Sequence, residues 1–455
     1  MRPNRSLLVL ALAAAAAGCT PAATAPAATA PARARADSLV NVATFDTAWA
    51  RVRTHHYDST FGGLDWDAVR AELRPRVEAD PGTEAVRRAI RDMVSRFGVS
   101  HYALIPREVN EALDAGARER GAEATPADAG LELRALGSDV VVWTVEPAGP
   151  AAAAGLRPGE AVVQVEQFAP GGALADVLAL GDARERQLAL TRLLYGANAL
   201  LDGAAGDTVR LQVRRGGDTV AVAVPLRPTP GVLVRFGNLP PTIARVAHER
   251  LDGAAGCVGV IRWNAWMAPI AAEIDRAVDA VRDCRGIVID LRGNPGGVAG
   301  MVMGVGGHFV DSTRALGTMK LRSNELRFVL NPRRVDTRGN GVAVFGGPLA
   351  ILVDAMSAST SEIFAAGMQA IGRARVFGEV TAGQALPALA SRLPNGDVLM
   401  HAVADYLVAD GSRVEGRGVI PDQPMALDAA ALRAGRDPVL EAAQRWILQA
   451  GNGLQ

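Results

Sequence analysis

Leu352-Val353-Asp354-Ala355-Met356-Ser357-Ala358-Ser359-Thr360-Ser361-Glu362-Ile363-Phe364 is an apolar run that breaks into small residues and becomes apolar again at Ile363. The pattern reads as a buried strand, a tight turn and a helix N-terminus. Such a turn exposes a hydroxyl and aims the first amides of the helix at whatever that hydroxyl attacks. Ser359 is the candidate nucleophile. Serines at a helix start are also common caps, so the segment alone does not decide between catalysis and capping.

Around it the chain alternates strand and helix. Strands are expected at 258–262, 286–291, 349–353, 376–377, 391–393 and 403–407, with helices at 269–281 and 360–371. This alternation predicts a layered α/β core. The strand at 286–291 runs into Asp290-Leu291-Arg292-Gly293-Asn294-Pro295-Gly296-Gly297, a glycine-rich turn able to present free amides. It lacks the Lys-Ser/Thr ending of a phosphate loop, which argues against nucleotide binding. An oxyanion hole fits better, built from the amide of Gly296 or Gly297 and that of Thr360. The alternative is a plain strand-to-helix turn.

At 455 residues the chain predicts two or three domains. Lys plus Arg and Asp plus Glu number 48 each, so no net field recruits nucleic acid. Two arginines among residues 1–6, an apolar run at 7–17 and Gly18-Cys19 read as an export signal of the lipoprotein kind over 1–19, with Cys19 lipidated. A plain secretory signal is the alternative. Residues 20–36, mostly Ala, Pro and Thr, read as a flexible tether. Cys257 and Cys284 remain, free to pair in an oxidising compartment or to stay buried thiols.

Residues 37–118 read as a helical cap ending in Phe97-Gly98-Val99-Ser100-His101-Tyr102. Between 119 and 229 short strands flank Pro150-Ala151-Ala152-Ala153-Ala154-Gly155-Leu156-Arg157-Pro158-Gly159-Glu160, and a hairpin turns at Gly216-Gly217. This pattern resembles a PDZ domain, a module that adds a peptide C-terminus to a sheet edge. The resemblance makes the loop at Gly130, Leu131 and Leu133 the carboxylate cradle.

Together with Gly411-Ser412-Arg413-Val414-Glu415-Gly416-Arg417-Gly418-Val419-Ile420-Pro421-Asp422, the serine turn and the glycine turn resemble the C-terminal-processing and tricorn-core family of serine peptidases. The resemblance covers most of the chain beyond the tether. It implies an α+β and α/β multidomain fold: helical cap, PDZ-like β domain and a crotonase-like α/β core over 230–455. It implies protein or peptide substrates and no cofactor. One departure matters. The processing branch carries a lysine base where this chain has Gln384, in Thr381-Ala382-Gly383-Gln384-Ala385, and glutamine accepts no proton at useful pH. The tricorn branch instead uses a Ser-His pair before the PDZ-like domain and a glutamate near the Gly-Val-x-Pro-Asp glycine. Ser100-His101 and Glu415 stand in those places. The resemblance thus implies His101 as general base, oriented by Ser100, which Glu415 anchors.

The other five histidines have no such support, and none shows metal-site spacing, so no metal is expected. The expectation is an exported serine endopeptidase of the bacterial cell envelope, attached to the membrane through Cys19. The competing expectation is a catalytically silent peptide-binding lipoprotein that has lost its base.

Overall fold

The computed structural model describes residues 30–109, 111, 126–239, 241–254 and 256–450. The export signal and Cys19 lie outside these residues. Three helices come first: α1 (Ala30–His55), α2 (Trp66–Ala79) and α3 (Thr83–Ser95). Helix α1 opens seven residues before the end of the expected tether. Residues 30–36 are Ala and Arg around Pro31, strong helix formers with the proline in the first turn, where its missing N–H leaves no bond unmade. Asp65 caps α2 by accepting the Ala68 amide at 2.8 Å.

Phe45, Trp66, Leu73, Ile90 and Met93 bury against one another, and Leu104, Leu393 and Leu399 complete their cluster. The cap therefore packs onto residues nearly 300 positions downstream. Strand β1 (Ala103–Ile105) pairs antiparallel with residues 398–400, fixing the segment just after His101. Beside it Arg87 and Asp397, both buried, form a two-pronged ion pair at 2.6 and 2.9 Å.

The next module holds a five-stranded antiparallel sheet: β2 (Leu131–Leu136), β3 (Asp139–Val145), β4 (Ala161–Val165), β5 (Thr208–Arg215) and β6 (Asp218–Pro225), hydrogen-bonded in that order. Helices α4 (Pro170–Leu178) and α5 (Ala183–Ala199) fill the gap between β4 and β5 in sequence. One face of β2 supplies Leu131 and Leu133 to the module's core. The other sends Glu132 to Arg262 at 2.7 Å and Arg134 to Asp354 at 2.6 Å. The guanidinium groups of Arg134, Arg262 and Arg292 all stand within 4.1–4.7 Å of the Trp143 ring. The module is thus joined to the next one by buried charge.

That third unit is a six-stranded sheet. Its order is β7 (Val246–Leu251), β8 (Val258–Trp263), β9 (Gly286–Asp290), β12 (Leu349–Val353), β13 (Arg375–Gly378) and β17 (Gln423–Pro424). Between β9 and β12 in sequence, β10 (Arg314–Leu321) and β11 (Glu325–Leu330) form a hairpin of a separate sheet, unread in the sequence. The remaining strands are β14 (Ala388–Arg392), β15 (Val398–Ala402) and β16 (Ala404–Val408). Only β7 runs antiparallel within the six.

Both faces are covered. Ile287, Ile289 and Ile351 pack toward α6 (Ala271–Val281) and α7 (Thr360–Ala370), while Val288, Ala350 and Leu352 pack toward α8 (Pro438–Ala450). Burial on both sides is why these strands read as unbroken apolar runs. Cys257 and Cys284 form a disulfide with Cα atoms 4.9 Å apart, tying the start of β8 to the segment before β9. The architecture is a mixed α/β multidomain one, as expected. Strands β9 and β12 are parallel neighbours, so the glycine turn and the serine turn that follow them emerge side by side.

Candidate active site

Every residue from 349 to 368 is buried except Ser359. The turn's other serines are committed elsewhere. Ser357 donates its hydroxyl to the Leu291 carbonyl at 2.9 Å, and Ser361 donates to that of Asn294 at 3.1 Å while accepting the Trp266 indole N–H at 2.9 Å. These bonds staple the serine turn to the glycine turn. Ser359 sits at φ 54°, ψ −117°, a region costly for an L-residue, and thereby lifts its side chain out of the packed layer.

The oxyanion donors sort themselves by what their amides already do. Gly296 donates its N–H to Asn294 Oδ1 at 2.9 Å, so it is not a free donor, contrary to one of the two assignments offered for this turn. Its role is spatial. A Cβ there would stand 2.7 Å from Ser359 Cβ and 2.8 Å from the Thr360 nitrogen. Among the described residues no acceptor takes the amide of Gly297 or of Thr360. Thr360 Oγ1 donates to the Gly297 carbonyl at 2.9 Å, holding the two together. Gly297 and Thr360 are the pair able to stabilise an oxyanion.

Ser100, His101 and Glu415 come together from opposite ends of the chain. Glu415 accepts the Ser100 amide at 2.9 Å and the Ser100 hydroxyl at 2.8 Å. Ser100 Oγ lies 2.7 Å from His101 Nδ1. A hydroxyl has one proton, and Ser100 gives it to a carboxylate that can only accept. It must therefore accept from the ring, so Nδ1 carries the hydrogen and Nε2 keeps its lone pair. His101 itself is at φ 61°. Burial, reinforced by the Arg184 charge, lowers its pKa to about 4, which keeps the imidazole neutral at ordinary pH.

The relay and Ser359 meet across one peptide unit. The Ser359 amide donates to the Gln384 carbonyl at 2.9 Å, and the next amide, that of Ala385, donates to Glu415 Oε2 at 2.9 Å. Among the described residues no hydrogen bond joins the Ser359 hydroxyl to the His101 ring. Gln384 contributes its backbone here, where the related branch contributes a side chain.

Four participants escaped the sequence reading. Arg184, at the start of α5, donates to Glu415 Oε1 at 2.8 Å and lies 3.3 Å from the Ala382 carbonyl. Glu362 is fully buried and accepts from the Ser359, Gly383 and Gln384 amides and from Thr381 Oγ1, at 2.5–3.0 Å. Burial raises its pKa to about 7 against those four bonds. Asp354 accepts the Gly293 and Met356 amides at 2.9 and 3.0 Å, joining both turns, and Arg134 holds it from the β module. The Glu three residues after a serine was a visible capping-box cue. Nothing local marked the two arginines.

The remaining assignments fall elsewhere. Leu131 and Leu133 lie on the edge strand of the five-stranded sheet, and Gly130 immediately precedes it. Two of these three are already bonded: Gly130 donates to Asp128 Oδ1 at 2.8 Å, and Asn198 takes both backbone groups of Leu133. His56, His308 and His401 hydrogen-bond Tyr102, Asp275 and Ser391 respectively. Among the described residues no His, Cys, Asp and Glu cluster could hold a metal.

Comparison with known proteins bears on the same segments. Residues 257–425 match the model of peptidase family S41, and residues 43–95 that of the tricorn protease C1 domain. Chloroplastic carboxyl-terminal-processing peptidase 3 of Arabidopsis thaliana is 26% identical over 389 residues, 83% of this chain and 68% of that protein. Carboxy-terminal processing protease CtpA of Bacillus subtilis (strain 168) is 25% identical over 236 residues, 50% of this chain and 44% of that protein. Of solved structures, the photosystem II D1 C-terminal processing protease aligns over 90% of this chain and 97% of its own, with TM-score 0.55 at 22% identity. Mature CPAF aligns over 92% and 99%, with TM-score 0.59 at 13% identity. The structural likeness is one of fold. Joined to the serine and glycine turns, the sequence matches support a serine-type peptidase, similar over residues 257–425 to peptidase family S41 and over residues 43–95 to the tricorn protease C1 domain.

Proposed function

We propose that the chain is an exported endopeptidase that hydrolyses peptide bonds in unfolded or C-terminal protein segments, acylating on Ser359 with His101 as general base. The observation that carries this reading is the Glu415–Ser100–His101 relay, because it fixes the tautomer that leaves Nε2 basic. Ser359 Oγ adds to the scissile carbonyl carbon as its proton passes to Nε2. The carbonyl oxygen, now negative, takes the Gly297 and Thr360 amides. Collapse breaks the C–N bond, and Nε2–H protonates the leaving amine. Water then repeats the sequence on the acyl-enzyme and frees Ser359.

In this reading the β module is PDZ-like, the six-stranded unit is the crotonase-like core, and Cys19 carries a lipid anchor in the bacterial envelope. The Cys257–Cys284 disulfide supports an oxidising compartment. The silent-scaffold reading draws on Gln384 and on the unmade Ser359–His101 bond. A fluorophosphonate probe separates the two. The enzyme is labelled at Ser359 and cuts casein, Ser359→Ala abolishes both, His101→Gln abolishes turnover, and Gln384→Ala keeps most of it. An unlabelled native protein that leaves casein intact is the scaffold.

A further inference from the structure

Strand β2 is an edge strand of the five-stranded sheet, and Gly130 immediately precedes its first residues, Leu131-Glu132-Leu133. A peptide adding to such an edge must bond the outward N–H and C=O of alternate residues. At Leu133 both groups are occupied from within the chain. The Leu133 amide donates to Asn198 Oδ1 at 2.9 Å, and Asn198 Nδ2 donates to the Leu133 carbonyl at 3.1 Å. A carboxamide that accepts from one N–H and donates to the C=O of the same residue has the hydrogen-bonding pattern of one residue in an added antiparallel strand. The Asn198 amide is itself braced by donating to the Leu194 carbonyl at 2.8 Å. At the other end of the cradle, Gly130 gives its amide to Asp128 Oδ1 and its carbonyl to the Glu146 amide, each at 2.8 Å.

Asn198 closes the last turn of α5, and the rest of that helix is bonded to the catalytic loops. Arg184 reaches Glu415, Gln187 donates to the Thr381 carbonyl at 3.1 Å, Thr191 to that of Ala355 at 3.0 Å, and Tyr195 to that of Met356. A strand entering between β2 and α5 would have to displace Asn198 from a helix held at four points along its length.

We infer that Asn198 is a built-in plug: its carboxamide stands in for a peptide main chain on β2 and keeps this edge shut to protein C-termini. The inference rests on the PDZ-like reading of the module and goes beyond it, since it makes the module a fixed wall of the catalytic site in the resting protein. Peptide capture at β2 then requires the plug to leave.

The test uses the full chain carrying Ser359→Ala, so that binding is read without cleavage and a silent enzyme would not alter the result. The probe is a fluorescein-labelled octapeptide ending in Leu-Ala-Ala with a free carboxylate; the same peptide with an amidated end is the control. Asn198→Ala is expected to bind the free-carboxylate peptide at least tenfold more tightly than the Asn198 protein, and to lose the gain with the amidated one. Equal binding with and without Asn198, or binding by neither, overturns the plug. Asn198→Asp keeps the side-chain size but cannot donate to Leu133, and is expected to share the gain. Hydrogen exchange supplies a reading that needs no variant: the Leu133 amide is expected to be protected in the native chain, and exchange at the rate of an open edge overturns the inference.

Discussion

Positive φ at a non-glycine residue costs of order 1–3 kcal/mol and persists only where packing over-determines it. Ser359 and His101 both pay that cost here, the first held by the Gln384 carbonyl and Glu362, the second by the relay through Ser100. Two residue-scale predictions follow from their neighbours. Gly296→Ala places a methyl 2.7 Å from Ser359 Cβ, in the space an oxyanion must enter, and strains a residue at φ 96°. It is expected to lower kcat by at least about a hundredfold, the scale of a lost oxyanion donor, while far-ultraviolet circular dichroism stays native. Near-normal turnover would remove Gly297 and Thr360 as the oxyanion pair. The second concerns pH. In the proposed mechanism His101 must be unprotonated, and burial with the Arg184 charge holds it at about 4. The acid limb of kcat/KM is therefore expected near pH 4 rather than near the ordinary 6.5 of histidine. Arg184→Met removes a positive charge that opposes protonation, so the limb moves to higher pH and activity at pH 5 falls. A limb that stays in place would separate Arg184 from the base.

Helix α7 does more than present Ser359. Its third residue, Glu362, gathers the loop 381–384 against the nucleophile through four accepted hydrogen bonds. Glu362→Gln replaces one acceptor oxygen by a donor, which then faces either the Thr381 hydroxyl and the Gly383 amide or the Ser359 and Gln384 amides. Loss of about 2–4 kcal/mol is expected, visible as a lower urea midpoint, together with slower acylation. Unchanged stability would mean that the loop is held by its backbone bonds alone. At this scale much was legible beforehand. The parallel strands, helices α6 and α7 and the two turns were readable because burial on both faces leaves unbroken apolar runs and because turns need glycine and small residues. The β10–β11 hairpin was not, since exposed Leu321 and Leu326 blur its in–out alternation and its sheet is completed by β16 from far downstream. The Ser100-His101 and Glu415 pairing was legible only through resemblance. Arg184, Arg134 and Asn198 were not legible at all, because a single polar residue on a helix or strand carries no sign of which distant loop it will meet. The tether reading failed at 30–36 for a related reason: an Ala-rich composition suits a helix as well as a linker.

The molecule as a whole builds its site from pieces that only the tertiary fold unites, so activity depends on the joints between those pieces as well as on each piece. The disulfide closes a loop with a sequence separation of 27. The chain-entropy model gives that closure about 3.5 kcal/mol, and reduction is expected to lower the thermal midpoint without altering the folded site. Acid should act more directly, through the joint between cap and core. His56, at the end of α1, is buried against Phe61, Phe97 and Tyr102, and Arg322 donates to its carbonyl at 3.1 Å. His401, on β15, is equally buried, with its ring 5.8 Å from that of His55. Burial lowers both rings to about 4, with Arg322 adding to the effect at His56, where Asp58 opposes it, and His55 and Arg51 adding to it at His401. In the unfolded chain each would protonate near 6.5, so between pH 6.5 and 4 the unfolded state binds more protons than the folded one. Stability is therefore full above pH 6.5 and declines as pH falls to about 4, by on the order of 3 kcal/mol for each ring. Urea midpoints measured at pH 7, 5.5 and 4.5 should descend in that order, and His401→Gln should flatten the descent. Because the strand after His101 is pinned to β15 itself, the protonated joint would release the base before the core unfolds, so peptidase activity should disappear at a lower urea concentration than the core's tryptophan signal changes. Coincident transitions at every pH would show instead that cap and core unfold as one unit.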